Sequence, residues 1–250
     1  MPNLTAHIDI ALECLAYLQL PVVERNLGPF LLGSCSPDIR IITHGRRDVT
    51  HFAPVSNQVI GAGARSMFEA YPDLADLASR SERTQAFLAG YISHLIADES
   101  WIIKIYRPYF GNRDVFEDEV VANITDRAMQ LDMDRLAVDK RDGMTQARDH
   151  LAYAHTGVEV EFLDQDILAQ FQGRVSDALQ RQFDWGRLLF MARRQYPEEH
   201  GPAQAFAQEF VDGLPGSLEH AYSLVPRKAI AEFRATIVQE WSGTVKERLL

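Results

Sequence analysis

Residues 87–101 read FLAGYISHLIADESW, an apolar run with His94 and Asp98 set into it. Drawn as a helix over 84–104, this stretch is hydrophobic on nearly every side. A helix of that kind belongs in the middle of a domain, where other elements cover all its faces. His94 and Asp98 are one helical turn apart and project the same way. A carboxylate placed there is costly unless a positive or protic group compensates it. The stretch therefore sets two requirements: helices to surround it, and partners for its polar pair.

The rest of the chain supplies helices. TAHIDIALECLAYLQLP keeps an apolar face up to Pro21, with Thr5 as the expected cap. ERNLGPFLLGSCSPD reads as a short buried helix running into a turn at Gly33 to Pro37. Helical periodicity also marks 55–71, 81–107, 113–140, 143–155, 164–196, 201–214 and 226–250. Ser81 and Thr84 are cap candidates for the central helix. Only TGVEVEFL, residues 156–163, reads as a strand. No repeat, low-complexity tract or long linker interrupts the 250 residues, so a single all-α domain over 1–250 is expected.

The net charge is −10, which argues against a nucleic-acid-coating surface; stable nucleic-acid binding is not expected. It leaves open a phosphate-bearing substrate held through metal ions, because a metal brings its own charge. Two cysteines, Cys14 and Cys35, make no disulfide framework. The first residues show no basic region, apolar run and cleavage site, and no segment approaches the roughly 20 apolar residues of a membrane span. A cytoplasmic location is the expectation.

Four of the eight histidines, His7, His44, His51 and His94, fall in the first hundred residues. Asp38 follows Pro37 in a turn, His51 lies thirteen residues later, and His94 and Asp98 share a helix face. Imidazole nitrogen and carboxylate oxygen are the donors zinc takes. Each residue alone has an ordinary explanation: His7 as a capping residue, Asp38 as a turn cap, His94 and Asp98 as a self-satisfied hydrogen bond. One metal site explains them together. His44, Arg46 and Arg47 read as a polar loop before His51, and an arginine there suits a substrate phosphate.

The order of these elements resembles the zinc-dependent phospholipase C family, related in fold to the single-strand-specific zinc nucleases. An early helical His is followed by GSCSPD, by THF, and by AFLAGYISHLIAD, with Gly-Tyr before His-x-x-x-Asp. The resemblance covers residues 7 to 98 and implies an all-α, multi-helix domain of the phospholipase C and zinc nuclease type. It implies that Asp38, His51, His94 and Asp98 form one metal site, with Asp98 bridging to a second ion also held by His7. Family members build a third site from later histidines and a His-x-x-x-Glu. Here only His155 and Glu159 have that spacing, in a segment that does not read as helix. Secreted members also use their mature amino terminus as a ligand. Asp118, Glu119, Asp126 and Asp132 are acidic substitutes, each also readable as part of a solvated helix face.

The expected activity is thus a metal-dependent, phospholipase C-like hydrolysis of phosphoric esters, with Asp98 and Arg47 as catalytic residues. Two zinc ions are expected, a third being left open and iron or manganese remaining alternatives. The substrate implied by the resemblance is a small phosphodiester or a phospholipid-like molecule; oligomeric state is left open. Two rivals stand beside it: a metal enzyme of other chemistry on the same scaffold, and a non-catalytic helical binding protein. An HD-type phosphohydrolase is disfavoured, because no His-Asp dipeptide occurs.

Overall fold

The computed structural model describes residues 1–74, 76–197 and 201–249, and among them every regular element is helical. Helices α1 (Leu4–Tyr17), α2 (Pro21–Arg25) and α3 (Leu27–Gly33) come first, then the short α4 (Arg40–Thr43) and α5 (Arg47–His51), and α6 (Ala62–Ala70). The central α7 (Glu82–Trp101) is followed by α8 (Glu119–Asp139), α9 (Arg141–His150), α10 (Gln165–Gln180) and α11 (Arg187–Gln195). The chain closes with α12 (Pro202–Asp212), α13 (Gly216–Leu224) and α14 (Arg227–Leu249). No described helix is long and apolar enough to cross a membrane.

The α7 helix is the expected buried axis. Ser81 caps it, its hydroxyl accepting the Thr84 N–H at 3.2 Å, and every residue from Ala86 to Trp101 is buried. It does not stop at 104. It runs on as a π-helix over Ile102–Phe110 that contains Pro108. The wider turn closes with Gly111 N–H donating to the Tyr106 carbonyl at 2.7 Å, five residues back.

Glycine decides how α3 meets α7. A Cβ on Gly90 would lie 1.9 Å from the Phe30 carbonyl oxygen, and one on Gly33 would lie 2.0 Å from that of Phe87. The two helices therefore cross backbone against backbone. Helix α14 also packs on α7, with Trp241, whose indole N–H donates to the Ala89 carbonyl at 2.8 Å and whose ring meets Phe30 of α3, and with Phe233 edge-on to Trp101.

Four expectations change. TGVEVEFL is not a strand: it is an unpaired strap with Val158 and Val160 buried and Glu159 and Glu161 exposed. Its alternation records burial against the core, and Glu159 N–H donates to the Thr84 hydroxyl instead of to a strand. Thr5 is no cap; α1 starts at Leu4, and Asp134 of α8 accepts the Ala6 N–H at 3.1 Å. The run 164–196 divides into α10 and α11, where the Asp184 carboxylate turns the chain by accepting the Gly186 N–H at 2.8 Å. The stretch 55–61 is a loop held by Asn57, whose side chain bonds both the N–H and the carbonyl of Val59. The α13 helix carries no signal strong enough to be expected.

Candidate metal centre

The five histidine and aspartate candidates of the first hundred residues converge, delivered by four local devices, His94 and Asp98 sharing α7. His7 sits one turn into α1. Asp38 lies in the 3₁₀ turn Ser36–Ile39 after α3. His51 ends α5, and the left-handed Phe52 that follows (φ 56°) stops the helix there. The Tyr91 hydroxyl, one turn before His94, donates to the Thr50 carbonyl and fixes α5 against α7. The Gly-Tyr before His94 thus has a physical role: Gly90 lets α3 approach and Tyr91 holds the segment bearing His51.

Two groups of donor atoms lie within 4.8 Å of one another: His7, His94 and Asp98, and Asp38, His51 and His94. Asp98 links them. Its Oδ1 is 3.5 Å from His7 Nε2, and its Oδ2 is 3.1 Å from His51 Nε2 and 3.7 Å from His94 Nε2. His7 stacks on His94 with ring centroids 3.7 Å apart. These contacts lack the alignment of hydrogen bonds. His7 Nδ1 and Nε2, His51 Nε2, His94 Nε2 and Asp98 Oδ1 are buried without a hydrogen-bond partner. Orphaned donors of this kind are costly and call for an explanation.

The other ring nitrogens of His94 and His51 are anchored. A carbonyl oxygen only accepts, so His94 Nδ1 carries the proton it donates to Ser34 O at 2.9 Å, and Nε2 is left with its lone pair. The Thr50 hydroxyl donates to Arg47 O at 3.3 Å and accepts from His51 Nδ1 at 3.1 Å, which leaves His51 Nε2 likewise available. Burial lowers His7 to about 4 and lowers His51 as well, so both are neutral near pH 7. Burial also pulls His94 down, but the neighbouring Asp98 charge outweighs it and raises the imidazole. Burial pushes the Asp98 carboxyl up; the three histidines outweigh that and hold it well below the usual carboxylate range.

Arg47 is not the solvated loop charge that its sequence neighbourhood suggests. It opens α5, one turn before His51, and its Nη2 donates to Asp98 Oδ2 at 2.8 Å. Asp38 is the cluster member that meets solvent, its side chain 25% exposed against 1–2% for its histidine and aspartate neighbours His7, His51 and Asp98. The Met1 amino group is also buried nearby; burial lowers it to about 6 against the pull of Asp126, Asp98 and Asp38.

The later candidates stay apart. Glu159 lies beside Thr84, ten residues before His94, a distance of about 15 Å along a helix. His155 Nδ1 is engaged with Gln172 at 2.7 Å. The acidic substitutes have other work. Asp126 accepts from Trp101 and Gln130, Asp132 from Arg135 and Tyr222, Asp118 caps α8, and Glu119 pairs with Arg113.

Glu99 was not expected. It is buried next to Asp98 and accepts the N–H groups of Gly61 and Gly63 at 2.5 and 2.7 Å, tying the loop after α5 to α7. A small cavity of about 10 Å³ between Arg47, His51 and Glu99 holds no more than one water-sized guest.

Residues 6–101 match the family model described as zinc dependent phospholipase C. The matched segment contains His7, Asp38, Arg47, His51, His94 and Asp98, and ends before His155 and Glu159. No curated protein and no solved structure matches the chain.

Proposed function

We propose that this protein is a metal-dependent hydrolase of phosphoric esters, built on two zinc sites that share Asp98. The observation that carries the reading is the set of five buried, unpartnered nitrogen and oxygen atoms on four converging side chains. The donor set fits a borderline divalent ion: His7 and His51 are held neutral by burial, the Ser34 carbonyl accepts the hydrogen bond from His94 Nδ1–H so that Nε2 faces the cluster, and one carboxylate touches both groups. Asp38, His51, His94 and Asp98 would hold one ion, and His7 with Asp98 the other, His94 having only Nε2 to give. Bound there, divalent ions supply positive charge for a phosphoryl oxygen and activate water for attack at phosphorus.

The chain's own residues do the rest. Ser34 and Thr50 fix the rings of His94 and His51, so their donor nitrogens need no rearrangement. Arg47 balances Asp98, and its side chain is 18% exposed, so its fork also reaches the side from which a phosphate arrives. That side is marked by Asp38, because the other ligands are sealed. A phosphodiester or phospholipid-like ester is the substrate class that the family match supports.

The test is hydrolysis by zinc-loaded and chelator-treated protein of bis(4-nitrophenyl) phosphate, a phosphomonoester and a short-chain phospholipid. Turnover of a diester or phospholipid that is lost on chelation and restored by zinc is the expected result. Equal rates with and without metal contradict the proposal.

A further inference from the structure

A second site lies on a different stripe of α8. Asp126 and Gln130 are buried, Asp126 on Trp101 and Gln130 on Asp126, and Asn123 bonds Tyr106 and Tyr196, whereas Val121 and Thr125 form the floor of a separate groove. The 111–118 loop closes one side, and α12 and α13 the other. Its volume is about 610 Å³, within the range of about 300–1,000 Å³ typical of small-molecule sites. Phe206, Phe210 and Leu224 complete an apolar floor, and none of the histidine or aspartate ligands proposed above lines it.

Two features say what the groove takes. Its lining has no lysine or arginine but three exposed carboxylates, Glu117, Asp118 and Glu209, with His220 the one ionisable nitrogen. Among the described residues none of the three carboxylates has an ion-pair partner; Asp118 Oδ1 receives only the helix N–H groups of Val120 and Val121 at 2.7 and 3.0 Å. Apolar walls focus the field of such a rim and favour a cation at the mouth. Inside, Thr125 is buried, lines the floor, and its hydroxyl makes no hydrogen bond among the described residues. A groove with no polar group to use would place an apolar residue there.

We propose that this groove binds a small cationic amphiphile, its alkyl chain along Val121, Phe206, Phe210 and Leu224 and its ammonium among Glu117, Asp118 and Glu209. The site is independent of the metal centre. An anionic amphiphile meets the same three carboxylates as repulsion, and a neutral one of equal length gains only the apolar floor.

Calorimetric titration with decyltrimethylammonium, decanoate and decyl maltoside, each below its micelle threshold, tests the assignment. The ammonium amphiphile is expected to bind at least about tenfold more tightly than either other, a difference of ~1.4 kcal/mol. The double variant Glu117→Gln/Glu209→Gln is expected to remove that preference and keep the apolar contribution. Val121→Trp, which fills the floor, is expected to abolish binding, whereas Asp98→Asn leaves it unchanged. Equal affinity for the three amphiphiles, no binding of the ammonium, or an unchanged preference in the double variant overturns the proposal. The double variant alters exposed side chains only, so it decides the matter even if Val121→Trp fails to fold.

Discussion

Asp98 is the residue on which both halves of the centre depend. Asp98→Asn keeps the side chain's size and removes its negative charge, so metal content is expected to fall and hydrolysis to drop by orders of magnitude. Metal analysis and a diester assay on the purified variant check this; full metal content in the variant contradicts it. A second buried carboxylate, Asp134, yields a pH prediction away from the centre. It accepts from Ala6 N–H and pairs with Arg187 at 2.9 Å, yet burial raises its carboxyl above the ordinary value. A raised folded pKa means stability that is fully present below the unfolded value and lost as pH rises through the folded one. Removing Arg187 enlarges that loss. Arg187→Ala is expected to cost about 2 kcal/mol at pH 7 and progressively less toward pH 4, read from denaturant melts across that range. A cost independent of pH refutes the assignment. At this scale the sequence was informative about ligand types, because His and Asp at helical spacing among apolar residues stand out. It was silent about Ser34 and Thr50, which act through a backbone carbonyl and a hydroxyl that no spacing marks. Glu99 was hidden for a similar reason: its partners are the N–H groups of two glycines. Arg47 was noticed for a phosphate and found on Asp98.

At the scale of elements, the crossing of α3 and α7 governs the geometry of the centre. Ser34, whose carbonyl accepts the hydrogen bond from His94 Nδ1–H, directly follows α3, and Gly90 permits the approach that puts it there. Gly90→Ala places a methyl against the Phe30 carbonyl, which has no flexible end to yield. A loss of roughly 3 kcal/mol is expected, together with weaker zinc binding because His94 loses its anchor. Thermal melts and zinc titration of the variant give both readouts; an unchanged melt shows that the crossing tolerates a Cβ. The central helix was legible because its apolar residues surround it and Ser81 marks its start. Helix was legible as far as 107, but its π character and its passage through Pro108 to Phe110 were not, since Pro108 reads as a stop. The 156–163 strap misled because alternating burial produces the same pattern whether or not a second strand pairs with it. The short α4 and α5 were invisible to periodicity, being four and five residues long.

Across the whole molecule, metal binding and folding are coupled. The five orphaned donors destabilise the metal-free protein, and a ligand that binds only the native state adds about 2.7 kcal/mol at a hundred times its dissociation constant. For a chain of this size each kcal/mol moves the midpoint by about 2–4 °C. Chelation is therefore expected to lower the melting temperature by roughly 5–10 °C for each such site emptied, an effect that scanning calorimetry with zinc added back measures. A protein whose cluster is a self-contained hydrogen-bond network shows no such shift. The all-α architecture follows from periodicity summed over the whole length. The position of the second, carboxylate-rimmed groove does not, because it is assembled from α8, α12, α13 and a loop that are distant in sequence. The most direct measurement is elemental analysis of protein purified without chelators and then equilibrated with zinc. The account predicts close to two equivalents of zinc per chain, falling in Asp98→Asn. Wild-type protein that retains no divalent metal under those conditions contradicts it.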